Sequence, residues 1–340
     1  MSHGANSEAA IRVGIVGFGG QGKLHFESIW NTPPFEVVWI FDRDPQRTTG
    51  LPNALHVPSF KDALNRDTQI VVVATPPSSH FSIAQSFLLA GKNLLLEKPT
   101  ALSYSETRRL LEMAQRRQLF VLTHFNRRWD PDFLTIRRAL NTYDFGRVHE
   151  IGSRVSDVYA LSQSYPGRKR WKFRYPGGGI LLDWAPHLFD QLFELMGLRR
   201  PNSVYCHTDR PNCIVDPRLE EQFTIQVRYC NCLAVLGASW NAGFPLPRWL
   251  VCGTRAAIIV DKIGEGKGTI RFRRGDQVLT QQVDAEHILS AAEAMRTLVQ
   301  LSVQRRKTSL NEARRMRMVS YAVDLARRSY LIGKPLAWKL

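Results

Sequence analysis

Cysteine is scarce: five residues in 340, all past position 200, at Cys206, Cys213, Cys230, Cys232 and Cys252. Met1 to Ala10 has neither a basic start nor an apolar stretch, so no secretory signal is expected. With an odd cysteine count, this argues against an exported disulfide framework and for reduced thiols in the cytoplasm. Cys230-Asn231-Cys232 supplies two ligands where a structural zinc site takes four, so packing on a strand face is the expectation and no metal is assigned. Long apolar runs are missing too. The longest, Gln69 to Ala74 and Asn93 to Leu96, are strand-length, so nothing is expected to span a membrane. No repeat, low-complexity tract or long Pro/Gly/Ser linker appears.

Acidic residues are in short supply, 30 against 46 basic, for a net charge of +16. The excess sits late in the chain. Residues 1–122 carry 12 basic and 10 acidic side chains, residues 123–340 carry 34 and 20, and the last forty carry 10 and 2. Such a surface attracts nucleic acid non-specifically and steers anionic ligands. It is read here as solvated helix faces, with no specific nucleic-acid partner.

What is present is an ordinary globular composition, 44% hydrophobic and 22% charged, long enough for two cores. From Arg12 to about Leu122, strand-length apolar runs (Arg12–Gly17, Glu36–Phe41, Gln69–Thr75, Asn93–Glu97, Leu119–Thr123) alternate with helical stretches at Gln21–Asn31, Ser79–Ala90 and Ser105–Arg117. That rhythm predicts an α/β domain, a doubly wound parallel sheet covered on both faces, over 1–122. The rhythm then changes. Helices at Pro131–Leu140 and Gly179–Leu195 precede period-two runs at Gln222–Tyr229, Cys232–Ser239 and Thr269–Arg274. Helices near Ala285–Gln304 and Asn311–Tyr330 close the chain. Residues 123–340 therefore read as an α+β domain with a mainly antiparallel sheet.

The string IRVGIVGFGGQGKLH sets Gly17, Gly19 and Gly22, with Phe18 between the first two, as G-x-G-x-x-G between a strand and a helix. The first glycine permits a tight turn, the second lets backbone approach a pyrophosphate, and the third lets helix pack on strand. The helix start then offers free N–H groups to the phosphates. Asp42 ends the second strand twenty residues after Gly22, placed to accept the hydroxyls of an adenosine ribose and to repel a 2′-phosphate. Arg43 follows it and is the residue that would pair with that phosphate. The cofactor is thus NAD or NADP, with the balance towards NAD. Thr75 and Pro76 end the third strand, where ligands of open sheets lie, and His80 beyond them caps its helix or touches the cofactor.

Lys98 follows a strand end on the same edge, between Glu97 and Pro99, where its ammonium would stabilise oxyanion character on a reacting hydroxyl. Asp183 and His187 follow the run Gly177 to Gly179 and, as i and i+4 of one helix, share a face. An imidazole titrates near neutrality, which suits proton transfer in either direction of a hydride-transfer reaction.

At these residues the chain resembles the Gfo/Idh/MocA family of sugar and polyol oxidoreductases, over nearly its whole length. The carriers are GFGGQG, ATPPSSH, AGKNLLLEKP and GGGILLDWAPH. The string HFNRRWDPDFLT, with Arg170-Trp171 and DQLFELMG, is similar to the branch containing NADP-dependent scyllo-inositol dehydrogenases. The resemblance implies a Rossmann domain followed by an open-faced sheet that forms a homodimer or homotetramer interface. It implies a cofactor site that includes Thr75, Pro76, His80, Glu97, Lys98 and Asn126, and a Lys98–Pro99 bond that is often cis. It places Asn126, Arg170, Trp171, Asp183 and His187 at the substrate, with Lys98, Asp183 and His187 catalytic. Two departures stand out. Phe41-Asp42-Arg43 replaces the small hydroxyl residues of the NADP enzymes, and Trp184-Ala185 replaces a small pair that includes glycine, so Trp184 either narrows the pocket or packs behind it. The expected activity is NAD(P)-dependent oxidoreduction of a secondary alcohol on a cyclic polyol or sugar. A keto-sugar-nucleotide reductase and a non-catalytic NAD(P)-sensing regulator are the alternatives.

Overall fold

The structure, a computed structural model, describes residues 10–30, 32–156, 170–211, 216–240, 246–262, 264, 266–274, 277–284, 291–305 and 307–340. Cys213, Arg168, Lys169 and the expected helix start at Ala285 lie outside them. The chain forms two units, one of residues up to His124 with Ala292–Ala313, the other of Phe125–Ala291 with Arg314–Leu340.

In the first unit the elements run β1 (Ile11–Val16), α1 (Gly20–Leu24), β2 (Phe35–Phe41), α2 (Phe60–Asn65), β3 (Ile70–Val73), α3 (His80–Leu89), β4 (Asn93–Glu97), α4 (Tyr104–Arg116) and β5 (Val121–His124). Among the described residues these strands form one parallel sheet in the order β2-β1-β3-β4-β5. Every side chain of β3 and β5 is buried, as a sheet covered on both faces requires. The strand order reverses beside β1, and the crevice at its carboxyl end is where such sheets take ligands.

The helix expected over Gln21–Asn31 is divided. α1 gives way to a π-helical turn, His25–Trp30. Its i,i+5 geometry stacks Trp30 against His25 and lets the indole N–H donate to His25 Nδ1 at 2.9 Å. The two-domain division at 122 also changes, because Ala292–Ala313 joins the first unit. Thr308 explains why. Its Oγ1 accepts from the Val121 N–H (2.9 Å) and donates to the Val121 carbonyl (3.0 Å) in edge strand β5.

The second unit contains α5 (Pro131–Thr142), β6 (Val148–Ser156), α6 (Ile180–Leu195), β7 (Ser203–Asp209), β8 (Gln222–Arg228), β9 (Leu233–Ser239), β10 (Trp249–Gly253), β11 (Ala256–Val260), β12 (Lys267–Arg274) and β13 (Gln277–Asp284). α7 (Ala291–Arg305) belongs almost wholly to the first unit, and α8 (Leu310–Ile332) from Arg314 on and β14 (Leu336–Ala337) complete the second. Its described strands form one sheet, β13-β12-β11-β10-β6-β9-β8-β7-β14, antiparallel throughout except for β6 with β9. Alternation decides its two faces. Phe223, Ile225, Val227, Ala234, Leu236 and Ala238 point inward, while Gln222, Thr224, Gln226 and Arg228 are wholly or partly exposed. The inward face carries α5 and α6. Burying each large inward side chain stabilises the unit by about 1.5–3 kcal/mol.

α6 is the centre of this core, with every side chain from Ile180 to Phe193 buried. Helices buried all round are expected to be apolar. Here Asp183, His187, Asp190 and Gln191 repeat at helical spacing as a polar stripe within it.

Candidate active site

The nucleotide cradle of the first unit is built mainly of backbone. Gly17 adopts φ +90°, a left-handed conformation, and a Cβ there would sit 2.8 Å from the Ala74 carbonyl and from Thr75 Cγ2. A Cβ on Gly22 would fall 1.9 Å from the Gly17 carbonyl oxygen. Only glycine lets α1 press against the turn after β1, and that turn against the end of β3, which places Thr75 and Pro76 beside it. Gly19 precedes α1 and offers no side-chain cap, so the helix start keeps its N–H groups available. These features fit a bound dinucleotide.

Asp42 supports the same turn. Its Oδ2 accepts from the Phe18 N–H at 2.6 Å and its Oδ1 from the Asp44 N–H at 2.9 Å. The cation nearest this carboxylate is Arg47, 3.6 Å away, a residue the sequence reading overlooked. A Cβ on Gly19 would lie 3.5 Å from the same guanidinium. Arg43 is exposed.

Two residues expected at the cofactor have other tasks for their side chains. His80 is fully buried, and its ring nitrogens lie 2.8 Å from the carbonyls of Thr75 and Pro99, to one of which the neutral ring donates. It ties the β3 turn to the Lys98–Pro99 turn, whose peptide bond is cis. Burial lowers its basicity, although both carbonyls oppose this. Glu97 points into the protein, where its Oε1 accepts from His25 Nε2 (2.9 Å) and His124 Nδ1 (2.8 Å). Burial alone would raise its carboxyl; His124 and then His25 outweigh that and hold it well below the usual range. His25, Glu97 and His124 are close enough to hold a metal. The protons say otherwise: an indole can only donate, so His25 Nδ1 accepts from Trp30 and Nε2 carries the proton given to Glu97. A metal would need that nitrogen's lone pair. Lys98 is partly exposed at the end of β4.

In the second unit, the glycine run shapes the start of α6. The Gly179 N–H donates to the Lys172 carbonyl (2.8 Å) and the Gly178 N–H to that of Arg174 (3.0 Å). Glu220 receives the Ile180 N–H on its carbonyl (3.2 Å) and the Leu181 N–H on its carboxylate (3.0 Å). On the first turn Asp183 pairs through Oδ2 with Lys172 Nζ, both groups buried. His187, one turn on, is 4% exposed, and Trp184 lies edge-on to its ring at 5.9 Å. The Arg127 guanidinium sits 4.3 Å above the Trp184 ring. Trp184 thus backs His187 rather than lining open space, at 7% exposure.

Further along the stripe, Asp190 takes Arg128 in a two-point pair (2.7 and 3.0 Å), with Arg315 at 3.7 Å. Gln191 accepts from Arg248 at 2.8 Å and donates to the Arg127 carbonyl at 2.6 Å. Arg248, itself 1% exposed, also meets Asp132 at 3.0 Å. This lattice holds the short helical turn Asn126–Trp129, so Asn126 is carried by a rigid segment. Trp171 lies in the turn Arg170–Phe173 beside Lys172, 5.9 Å from its ammonium.

Residues 11–125 match the model of the oxidoreductase family with an NAD-binding Rossmann fold, and residues 133–259 match the Gfo/Idh/MocA C-terminal domain. The chain belongs to the Gfo/Idh/MocA family. It is an NAD(P)-dependent oxidoreductase. The fold of this family member matches that of the YPO2259 protein from Yersinia pestis, with a TM-score of 0.83 at 23% identity over 99% of both chains. The Escherichia coli oxidoreductase YdgJ, itself uncharacterized, is 29% identical over 272 residues, 79% of this chain and 75% of that one. The Bacillus subtilis scyllo-inositol 2-dehydrogenase (NADP(+)) IolW is 24% identical over 276 residues, 78% of this chain and 72% of that one.

Proposed function

We propose that this Gfo/Idh/MocA protein oxidises or reduces a secondary alcohol or ketone of a cyclic polyol or sugar, in the manner of an inositol dehydrogenase. The observation that carries the reading is the Asp183–His187 pair, one turn apart at the start of the polar stripe that runs through the buried helix α6. Burying a carboxylate and an imidazole costs several kcal/mol that even a matched ion pair, such as Asp183 with Lys172, barely offsets, so a task beyond packing accounts for keeping them. His187 exchanges the hydroxyl proton, Lys98 polarises the oxygen, and Asp183 orients the hydroxyl; Asn126, Arg170 and Trp171 complete substrate binding. A bound nicotinamide would supply or accept the hydride. Gly17, Phe18, Gly19 and Gly22 hold its phosphates, and Thr75, Pro76 and the Glu97–Lys98 backbone line its path.

Asp42 favours NAD, because an ionised carboxylate held by two backbone N–H groups repels a 2′-phosphate. A melting-temperature panel with NAD, NADH, NADP and NADPH tests this, since a ligand that binds only the folded state raises its stability. The non-phosphorylated pair is expected to give the larger shift; a larger shift from the phosphorylated pair assigns the choice to Arg47. A homodimer or homotetramer joined through the open face of the second sheet, working in the cytoplasm, belongs to the same reading. No described helix is long and apolar enough to cross a membrane.

Lys98→Ala tests the reaction. Turnover with inositols and sugars should fall by about 10²-fold or more while cofactor affinity stays within a few-fold. Unchanged turnover removes the mechanism.

A further inference from the structure

The triple glycine before α6 does more than open a helix. A Cβ on Gly178 would stand 2.5 Å from the Lys172 carbonyl oxygen and 2.7 Å from that of Arg174. Gly179 adopts φ +92°, and a Cβ there would meet the Glu220 carboxylate at 2.4 Å. With no side chains in the way, Lys172 and Arg174 are drawn onto the glycines that open α6 by two backbone hydrogen bonds. The result is an ion pair, Lys172 to Asp183, whose side chains are 10% and 5% exposed. Among the described residues, charged or titratable groups near this turn include His187 on α6, Glu220 at the helix start, Arg127 over Trp184, and Arg174 and Tyr175 just past Lys172, with Arg218 over the Tyr175 ring.

Buried ion pairs are poor stabilisers. Removing two charges from water costs about as much as their attraction returns, and apolar replacements of similar volume often do as well. A lysine buried at this position therefore calls for a role other than packing. Lys172 is a cation that meets the carboxylate one turn from His187. We propose that Lys172 is a positioning residue of the reaction centre, holding the Asp183 carboxylate ionised and fixed in direction so that it receives the substrate hydroxyl beside His187. This rests on the roles given above to Asp183 and His187. Lys98 and Lys172 then divide the labour, one acting on the reacting oxygen and the other acting through Asp183.

The test uses full-length protein carrying Lys172→Met, Asp183→Asn or both, assayed with cofactor and the best polyol over a range of pH. Lys172→Met is expected to lower kcat about a hundredfold with cofactor affinity unchanged. It should also move the acid limb of the kcat profile upward by about 1–3 pH units, since a carboxyl deprived of its cation takes up a proton more readily. The double variant should be no slower than Asp183→Asn alone, because residues that act as a unit do not add. An acid limb that stays in place, or losses that multiply in the double variant, overturns the proposal. If Lys172→Met does not fold, Lys172→Arg puts the same question: its charge should keep the limb in place, and a shift of a full unit overturns the proposal. If wild-type protein turns over no polyol or sugar, the reading of the reaction fails separately. ¹³C NMR titration of the Asp183 carboxyl, assigned by its loss in Asp183→Asn, then decides the pairing: a midpoint that rises in Lys172→Met supports it, and one that stays overturns it.

Discussion

In the first unit the ligand-facing turn is shaped by what its glycines lack, whereas in the second the site's side chains are held by charges sealed inside the protein. Gly17 and Gly22 work because no atom stands beyond Cα. Asp183, Asp190 and Gln191 work because Lys172, Arg128, Arg315 and Arg248 reach them. A cradle for a large, constant ligand is well served by backbone, whose N–H groups do not change from one side chain to the next. Under the proposed reading, side chains that position a small hydroxyl need charges fixed from behind. The first design is vulnerable to one added carbon, the second to one lost charge.

The largest effect should come from Asp190→Ala, which leaves Arg128 and Arg315 buried without their shared carboxylate. A loss of about 3–5 kcal/mol is expected, read as a lower denaturation midpoint, with Asp190→Asn milder. If Asp190→Ala melts like wild type, the charge lattice is ornamental and the contrast between the units collapses. Gly22→Ala comes next. Its methyl group must displace the Gly17 carbonyl, and about 3 kcal/mol spent on that displacement lowers cofactor affinity about a hundredfold. Isothermal titration with NAD reads this directly, and an affinity within a few-fold of wild type would show that the cradle bends.

The smallest effect is one of pH, and it sharpens the contrast because it belongs to the first unit. Burial lowers the imidazoles of His25 and His80 from their ordinary 6.5. The unfolded chain binds protons that the folded one refuses, so stability is complete above pH 6.5 and declines as pH falls below it. The slope is up to about 1.4 kcal/mol per pH unit for each histidine. Glu97, held well below 4.5, adds its own loss only below that value. Denaturant midpoints at pH 7.5, 6.5 and 5.5 measure the slope, and His80→Gln should reduce it by about half. An unchanged slope would place the titration elsewhere.

Much of this was legible in the sequence, for identifiable reasons. The first sheet announces itself because both its faces are buried, which turns β3 into an unbroken Ile-Val-Val-Val. The glycine turn and the i, i+4 placement of Asp183 and His187 follow from local spacing, whereas Lys98 stands out with the help of the family resemblance. β6 hides because its inward position 153 is a serine, and that serine is polar because it receives the buried Arg248 guanidinium. β13 hides because seven of its eight side chains are exposed or partly so, leaving no apolar face to read. Lys172 was missed although its neighbours Arg170 and Trp171 were not. Its partner lies eleven positions on, and only the backbone path through the glycines brings the two together. Arg128 and Asp190 are 62 positions apart, a distance at which no periodicity speaks.

The clasp of Thr308 on Val121 bears on the order in which a ribosome can finish this molecule. The nucleotide-binding sheet is synthesised first, yet the residue that seals its outer strand emerges only near the end of the 340. Until then β5 presents bare N–H and C=O groups, the template on which strands of other chains pair. A fragment ending at His124 should accordingly self-associate, and one that regains Ala292–Ala313 in trans should not.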